Sequence, residues 1–154
     1  MRTSAMRKVT FDLQSHRDSV NEVADRLSRF FDKLGWPDDA VFDVKLAAQE
    51  AVVNAVEHGN GSDSTKLVHI SCETAGDAVT LVVSDEGNGF NPAAVPDPTL
   101  PENILREHGR GLFLMRNLCD EVFYNEKGNE ITIIKRICRA KQARRRGSRP
   151  SVST

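Results

Sequence analysis

Leu46-Ala-Ala-Gln-Glu-Ala-Val-Val-Asn-Ala-Val56 is apolar almost all the way round a helix, yet it carries Glu50 and Asn54 one turn apart. A helix of that composition is buried on most sides. At i and i+4 the carboxylate and the amide stand about 40° apart on one face. A buried carboxylate is costly unless it is paired, hydrogen-bonded or beside a cation. Two polar residues lining a helix edge, or bonding each other, meet that demand. So does a ligand site. In the ligand reading Asn54 offers an amide oxygen to Mg²⁺, a hard ion that takes few protein ligands and keeps phosphate oxygens and waters. Glu50 then stands beside a terminal phosphate as general base for an attacking hydroxyl.

Working outward, Pro37 with Asp38 and Asp39 opens this helix, because Pro suits a first turn and carboxylates suit the positive end of the dipole. The helix should run to about Glu57 and stop near His58-Gly-Asn-Gly61. Before it, residues 7–13 alternate, with Val9, Phe11 and Leu13 on one face, and read as a strand. Val20, Val23, Ala24, Leu27, Phe30, Phe31 and Leu34 then recur at helical spacing up to Gly35. After it, residues 66–73 and 78–84 form a strand pair turning at Ala75-Gly-Asp77. Residues 111–118 return to helix, and residues 121–125 and 130–137 close the chain as a hairpin through Lys127-Gly-Asn129. The order β-α-α-β-β-loop-α-β-β predicts an α+β fold: a two-layer α/β sandwich with one mostly antiparallel sheet and its helices on one face.

A chain of 154 residues, 39% hydrophobic and 28% charged, fits one soluble domain with its own core. No apolar run approaches the roughly 20 residues that span a bilayer, and the N-terminus lacks a signal-peptide core. Cys72, Cys119 and Cys138 show no CxxC spacing, so a reduced, cytoplasmic protein is the simplest reading. The net charge of −1 conceals an asymmetry. Residues 135–154 hold eight Lys or Arg and no acid, which leaves 13 basic against 22 acidic in residues 1–134. The expected division is a folded domain over residues 1–137 and a basic, disordered tail over 138–154. Such a tail can touch nucleic acid or an acidic partner, or simply aid solubility. The folded part is acidic, so no direct nucleic-acid binding is expected from it.

Two further motifs join Glu50 and Asn54. Asp85-Glu-Gly-Asn-Gly89-Phe90 follows the strand over 78–84, which places Asp85 at a strand end over the core. Such a run is commonly only a turn. Here Gly87 and Gly89 also let the backbone approach a flat ligand closely, and Asp85 can accept a hydrogen bond from an exocyclic amine such as that of adenine. His108-Gly-Arg-Gly-Leu112 precedes a helix, and helix N-termini bind anions through free amides and the dipole. Gly109 and Gly111 fit that role, and Arg110 can add a charge-assisted phosphate contact. A plain Gly-containing helix entry fits the same letters. Between them residues 91–108 carry Pro92, Pro96, Pro98 and Pro101, a long irregular loop of a kind more often functional than idle, placed to close over a nucleotide. Neither a Walker loop nor a Rossmann fingerprint occurs.

Together these residues resemble the GHKL (Bergerat-fold) ATPase and kinase superfamily. Glu50-Ala-Val-Val-Asn-Ala-Val-Glu-His58 looks like its N box, residues 85–90 like its first glycine box, and Gly109-Arg-Gly-Leu-Phe-Leu-Met115 like its second. The likeness spans about Lys8 to Ile137 and is closest to the bacterial anti-sigma-factor serine/threonine kinases. The resemblance implies ATP and Mg²⁺ as cofactors and Glu50 as catalytic base, with Asn54 as metal ligand and Asp85 meeting the adenine amine. Gly87 and Gly89 would shape the adenine wall, and Gly109, Arg110, Gly111 and Leu112 would line the nucleotide on the phosphate side. It also implies partners: a STAS-type antagonist phosphorylated on serine, a sigma factor held inactive, and a second copy of the chain. The first strand is a candidate edge for that pairing. The basic tail departs from the shared pattern.

Three functions compete for these features. One is an ATP-dependent protein serine kinase; a second is a nucleotide-loaded clamp that sequesters a partner without turnover. Glu50 discriminates, since a pure binder has no need of a carboxylate there. The third, the catalytic half of a sensor histidine kinase, needs a separate helical segment presenting a phosphoacceptor histidine. The roughly 40 residues ahead of the N-box helix already form a strand and a helix of the domain.

Overall fold

The computed structural model describes residues 6–88 and 107–137. β1 (Arg7–Gln14) leads into α1 (Ser19–Asp32) and then α2 (Asp38–Asn54), which continues through one π turn, Ala55–Gly59. The hairpin of β2 (Leu67–Ala75) and β3 (Ala78–Asp85) follows, then α3 (Glu107–Leu118) and the hairpin of β4 (Glu121–Tyr124) and β5 (Glu130–Arg136). The strands lie in the order β1-β2-β3-β5-β4, every neighbour antiparallel. This is the α+β two-layer sandwich that the order of elements predicts. β1 forms one edge of the sheet.

Alternation along the strands sets the core. Val68, Ile70 and Cys72 of β2, Val79, Leu81 and Val83 of β3, and Ile131 and Ile133 of β5 face the helices and are buried. α1 contributes Val23, Leu27 and Phe31. α2 packs between α1 and α3 and over β3 and β5. Its Ala47, Ala48 and Ala51 are buried, and such small side chains leave room for neighbours on three sides. That crowding explains why the sequence of α2 shows so little amphipathic contrast. Lys135, on the core side of β5, breaks the apolar pattern: its Nζ donates to Asp43 Oδ2 at 3.0 Å and to the Leu118 carbonyl at 2.7 Å. One cation thereby ties α2 and the end of α3 to the sheet.

Several boundaries differ from expectation by a residue, and three differences have a clear physical reason. The strand expected over 66–73 is Leu67–Ala75: pairing runs on to Ala75 opposite Ala78, because Gly76 at φ +60° lets two residues make the expected turn. The second helix does not reach Glu57 as regular α-helix, since the backbone widens at Ala55 and Asn60 N–H donates to the Ala55 carbonyl at 2.7 Å, five residues back. α3 begins at Glu107, so Gly109, Arg110 and Gly111 lie inside its opening turns, not ahead of a helix that starts at Gly111. Most of the loop over 91–108, with its role as a lid, falls outside the described residues, as does the tail 138–154. Among the described residues no helix is long and apolar enough to cross a membrane.

Candidate nucleotide site

Asp85 ends β3, and the chain around it is shaped to hold its carboxylate. Its N–H donates to the Asn129 carbonyl at 2.9 Å, and its Oδ1 accepts the Gly87 N–H at 2.8 Å. The π turn comes down directly on it: a Cβ on Gly59 would fall 2.1 Å from Asp85 Oδ2, and one on Gly87 would fall 1.9 Å from the Gly59 carbonyl oxygen. Only glycine permits that interlock. Burial pushes the Asp85 carboxyl above its ordinary value, and the Gly87 N–H offsets this only in part.

Asn60, just past the π turn, is buried and hydrogen-bonded at both polar atoms. Its Nδ2 donates to the Leu67 carbonyl at 3.0 Å and its Oδ1 accepts the Glu86 N–H at 2.8 Å. It joins the end of α2, the start of β2 and the turn after Asp85. Sequence reading took Gly59 and Asn60 for a helix stop alone. Nothing local in their letters shows that both are braced against a strand end 26 residues away.

A cleft opens between this corner and the β4–β5 hairpin. Asn54, His58 and Gly59 line it from the helix side, Asp85 from β3, and Tyr124 and Asn129 from the hairpin. Tyr124 was not singled out from the sequence. Burial raises its hydroxyl above the usual phenol value; the nearby Asn54 side chain pulls the other way, and Asp85 adds to the rise. The Asn54 amide nitrogen is buried without a hydrogen-bond partner of good geometry. Native folds leave few such groups, and each one calls for a ligand or water.

α3 meets the same helix. A Cβ on Gly111 would lie 3.3 Å from Glu50 Oε1 and 3.5 Å from Asn54 Nδ2. Glu50 and Asn54 therefore share one face with Gly111 against it. Leu112 turns inward and is buried in the core, so its side chain packs beneath α3. Gly89 and the side chains of Gly109's neighbours His108 and Arg110 lie outside the described residues. Thus Glu50, Asn54, Asp85, Gly87 and Gly111 come together at one end of the sheet, although they belong to three different elements and the turn after β3.

The corner thus gathers an unsatisfied amide nitrogen one turn from a carboxylate, a glycine close to both, and the half-buried carboxylate of Asp85. The sandwich has the architecture of a class of ATP-binding domain. The chain matches the histidine kinase-like ATPase domain over residues 13–135 and belongs to that family. It is 36% identical over 149 residues to the serine-protein kinase RsbW of Staphylococcus epidermidis, covering 92% of this chain and 93% of that one. It is 37% identical over 135 residues to the serine-protein kinase RsbW of Staphylococcus aureus strain JH9, covering 82% and 84% respectively. These likenesses place it in the anti-sigma serine/threonine kinase branch of the family, whose reaction consumes ATP. The fold is also similar to a solved structure of the RsbU and RsbW domains of Rv1364c from Mycobacterium tuberculosis, with a TM-score of 0.61 at 22% identity. That match covers 84% of this chain and 32% of the longer one.

Proposed function

We propose that this chain transfers the γ-phosphoryl group of ATP to a serine of a STAS-type anti-sigma-factor antagonist, and holds a sigma factor inactive when the antagonist is unavailable. The approach of Gly111 to Glu50 and Asn54 carries the reading, because it joins motifs remote in sequence into one site. In this reading Glu50 takes the proton of the serine hydroxyl as its oxygen bonds the γ-phosphorus and ADP leaves. Asn54 would hold Mg²⁺, which when bound neutralises charge on the phosphates. Asp85 accepts the adenine amine, Gly87 and Gly89 shape the adenine wall, and Gly109, Arg110 and Gly111 face the phosphates. The protein acts in the cytoplasm as a homodimer, with β1 at the sheet edge as pairing candidate, and residues 1–137 form the working domain.

Incubation with Mg-ATP and a cognate STAS antagonist tests the activity; a confirmed cognate pair that yields no phosphoserine defeats it. Glu50→Gln should still bind ATP and lose transfer by roughly 100-fold or more, the scale of general-base contributions. Undiminished transfer in that variant would remove Glu50 from the chemistry. Loss of transfer with partner capture retained would leave the second reading, a clamp without turnover, as the function of the variant alone.

A further inference from the structure

His69 stands on the open face of the sheet, opposite Asp12 of β1 and Ser84 of β3 in the register. Both ring nitrogens meet carboxylates: Nδ1 lies 2.7 Å from Asp12 Oδ1 and Nε2 lies 2.9 Å from Glu86 Oε2. A neutral imidazole has one N–H and can serve only one acceptor, so this geometry belongs to the imidazolium. Glu86 is bound further, since its Oε1 accepts the Leu67 N–H at 3.0 Å and its own N–H donates to Asn60. Asp85, the nucleotide-facing carboxylate proposed above, is its immediate neighbour.

We propose that His69 is a positioning residue for nucleotide binding: as imidazolium it clamps Glu86 to β1 and so fixes the turn that carries Asp85 and Gly87. The inference rests on the nucleotide reading of the site. Asp12 and Glu86 are the charged groups that touch the ring. Lys8 and Glu73 face each other four residues along β1 and β2, and Glu130 stands opposite Ser84 one strand beyond. The two carboxylates hold the His69 ring above its ordinary value, Asp12 foremost, while the Leu67 N–H and then His69 hold Glu86 below its own. When the ring loses a proton the remaining N–H stays with Asp12, the closer partner. Nε2 then presents a lone pair to Glu86, and the clamp opens. The clamp is complete below the free histidine value and is lost as pH rises through the elevated one.

Titration of the full chain with Mg-ADP between about pH 6 and about pH 9, beside His69→Gln, tests this. The wild type should bind about 2- to 5-fold more tightly than the variant at the acid end, the scale of exposed ion pairs, and equally at the alkaline end. Carboxylate and phosphate titrations common to both proteins cancel in that ratio. Amide exchange gives a readout without nucleotide: protection of the Leu67 N–H, relative to the variant, should fall over the same range. A ratio constant with pH, or unchanged Leu67 protection, overturns the inference while leaving the nucleotide reading intact. If neither protein binds ADP at any pH, the nucleotide reading fails and the inference with it.

Discussion

In the proposed site, Asp85 would trade stability for function. Its carboxylate is partly buried against Gly59 and receives one amide hydrogen bond from Gly87, which offsets the burial only in part, so its ionised form is disfavoured in the folded chain. Because the folded value is raised, the penalty is present when the group is ionised and disappears as pH falls through that value and the folded chain takes up the proton first. Asp85→Asn should therefore raise the thermal midpoint near neutral pH, with the gain vanishing below the carboxylate range. The same change should weaken nucleotide binding about 10-fold or more, since an amide must turn its NH₂ toward the adenine amine once its oxygen serves Gly87. Calorimetric unfolding at two pH values and nucleotide titration measure both. Gly59→Ala makes the complementary case: its methyl has no room beside Asp85, so it should lose about 1–3 kcal/mol of stability in denaturant unfolding, and nucleotide binding with it.

At the scale of elements, α2 is the axis of the molecule. Its apolar wheel, read from the sequence, correctly announced a helix packed on most sides, and Glu50 and Asn54 stood out against that background. The π turn at its end was not legible, because Ala55-Val-Glu-His-Gly59 has no composition that distinguishes it from ordinary helix. It forms where Asn60 is drawn to Leu67 and Glu86, a tertiary demand. The start of α3 escaped for a related reason: Gly109 and Gly111 are poor helix formers, so local propensity argued for a later start. Lys135, which the sequence shows only as one of the basic residues of 135–154, satisfies Asp43 and the last carbonyl of α3 in a largely buried position. Lys135→Ala should lower unfolding free energy by about 1–3 kcal/mol, because two acceptors are left without their donor. A denaturant midpoint within error of wild type would contradict it.

For the whole molecule, the basic segment is the open question. Among the described residues, the last backbone bond on the β5 side of the sheet runs from Ile137 N–H to the Asp77 carbonyl at 2.9 Å. Removal of residues 138–154 should leave the thermal midpoint within about 2 °C and nucleotide affinity unchanged. A larger loss would assign the basic segment a part in the fold. Retained folding with altered partner capture would place its role in recognition.

By itself the sequence determined the succession of strands and helices and the face each one buries, and it put forward Glu50, Asn54, Asp85 and the glycines as the proposed site. Periodicity along a single element carries that information, because burial repeats every two residues in a strand and every 3.6 in a helix. Only the tertiary structure decided that Gly59 must leave room for Asp85, that Gly111 lies close to Glu50, and that His69 lies between Asp12 and Glu86. Those meetings join residues from separate elements. They are set by how a twisted antiparallel sheet and its helices pack, and no local pattern of letters records that distance.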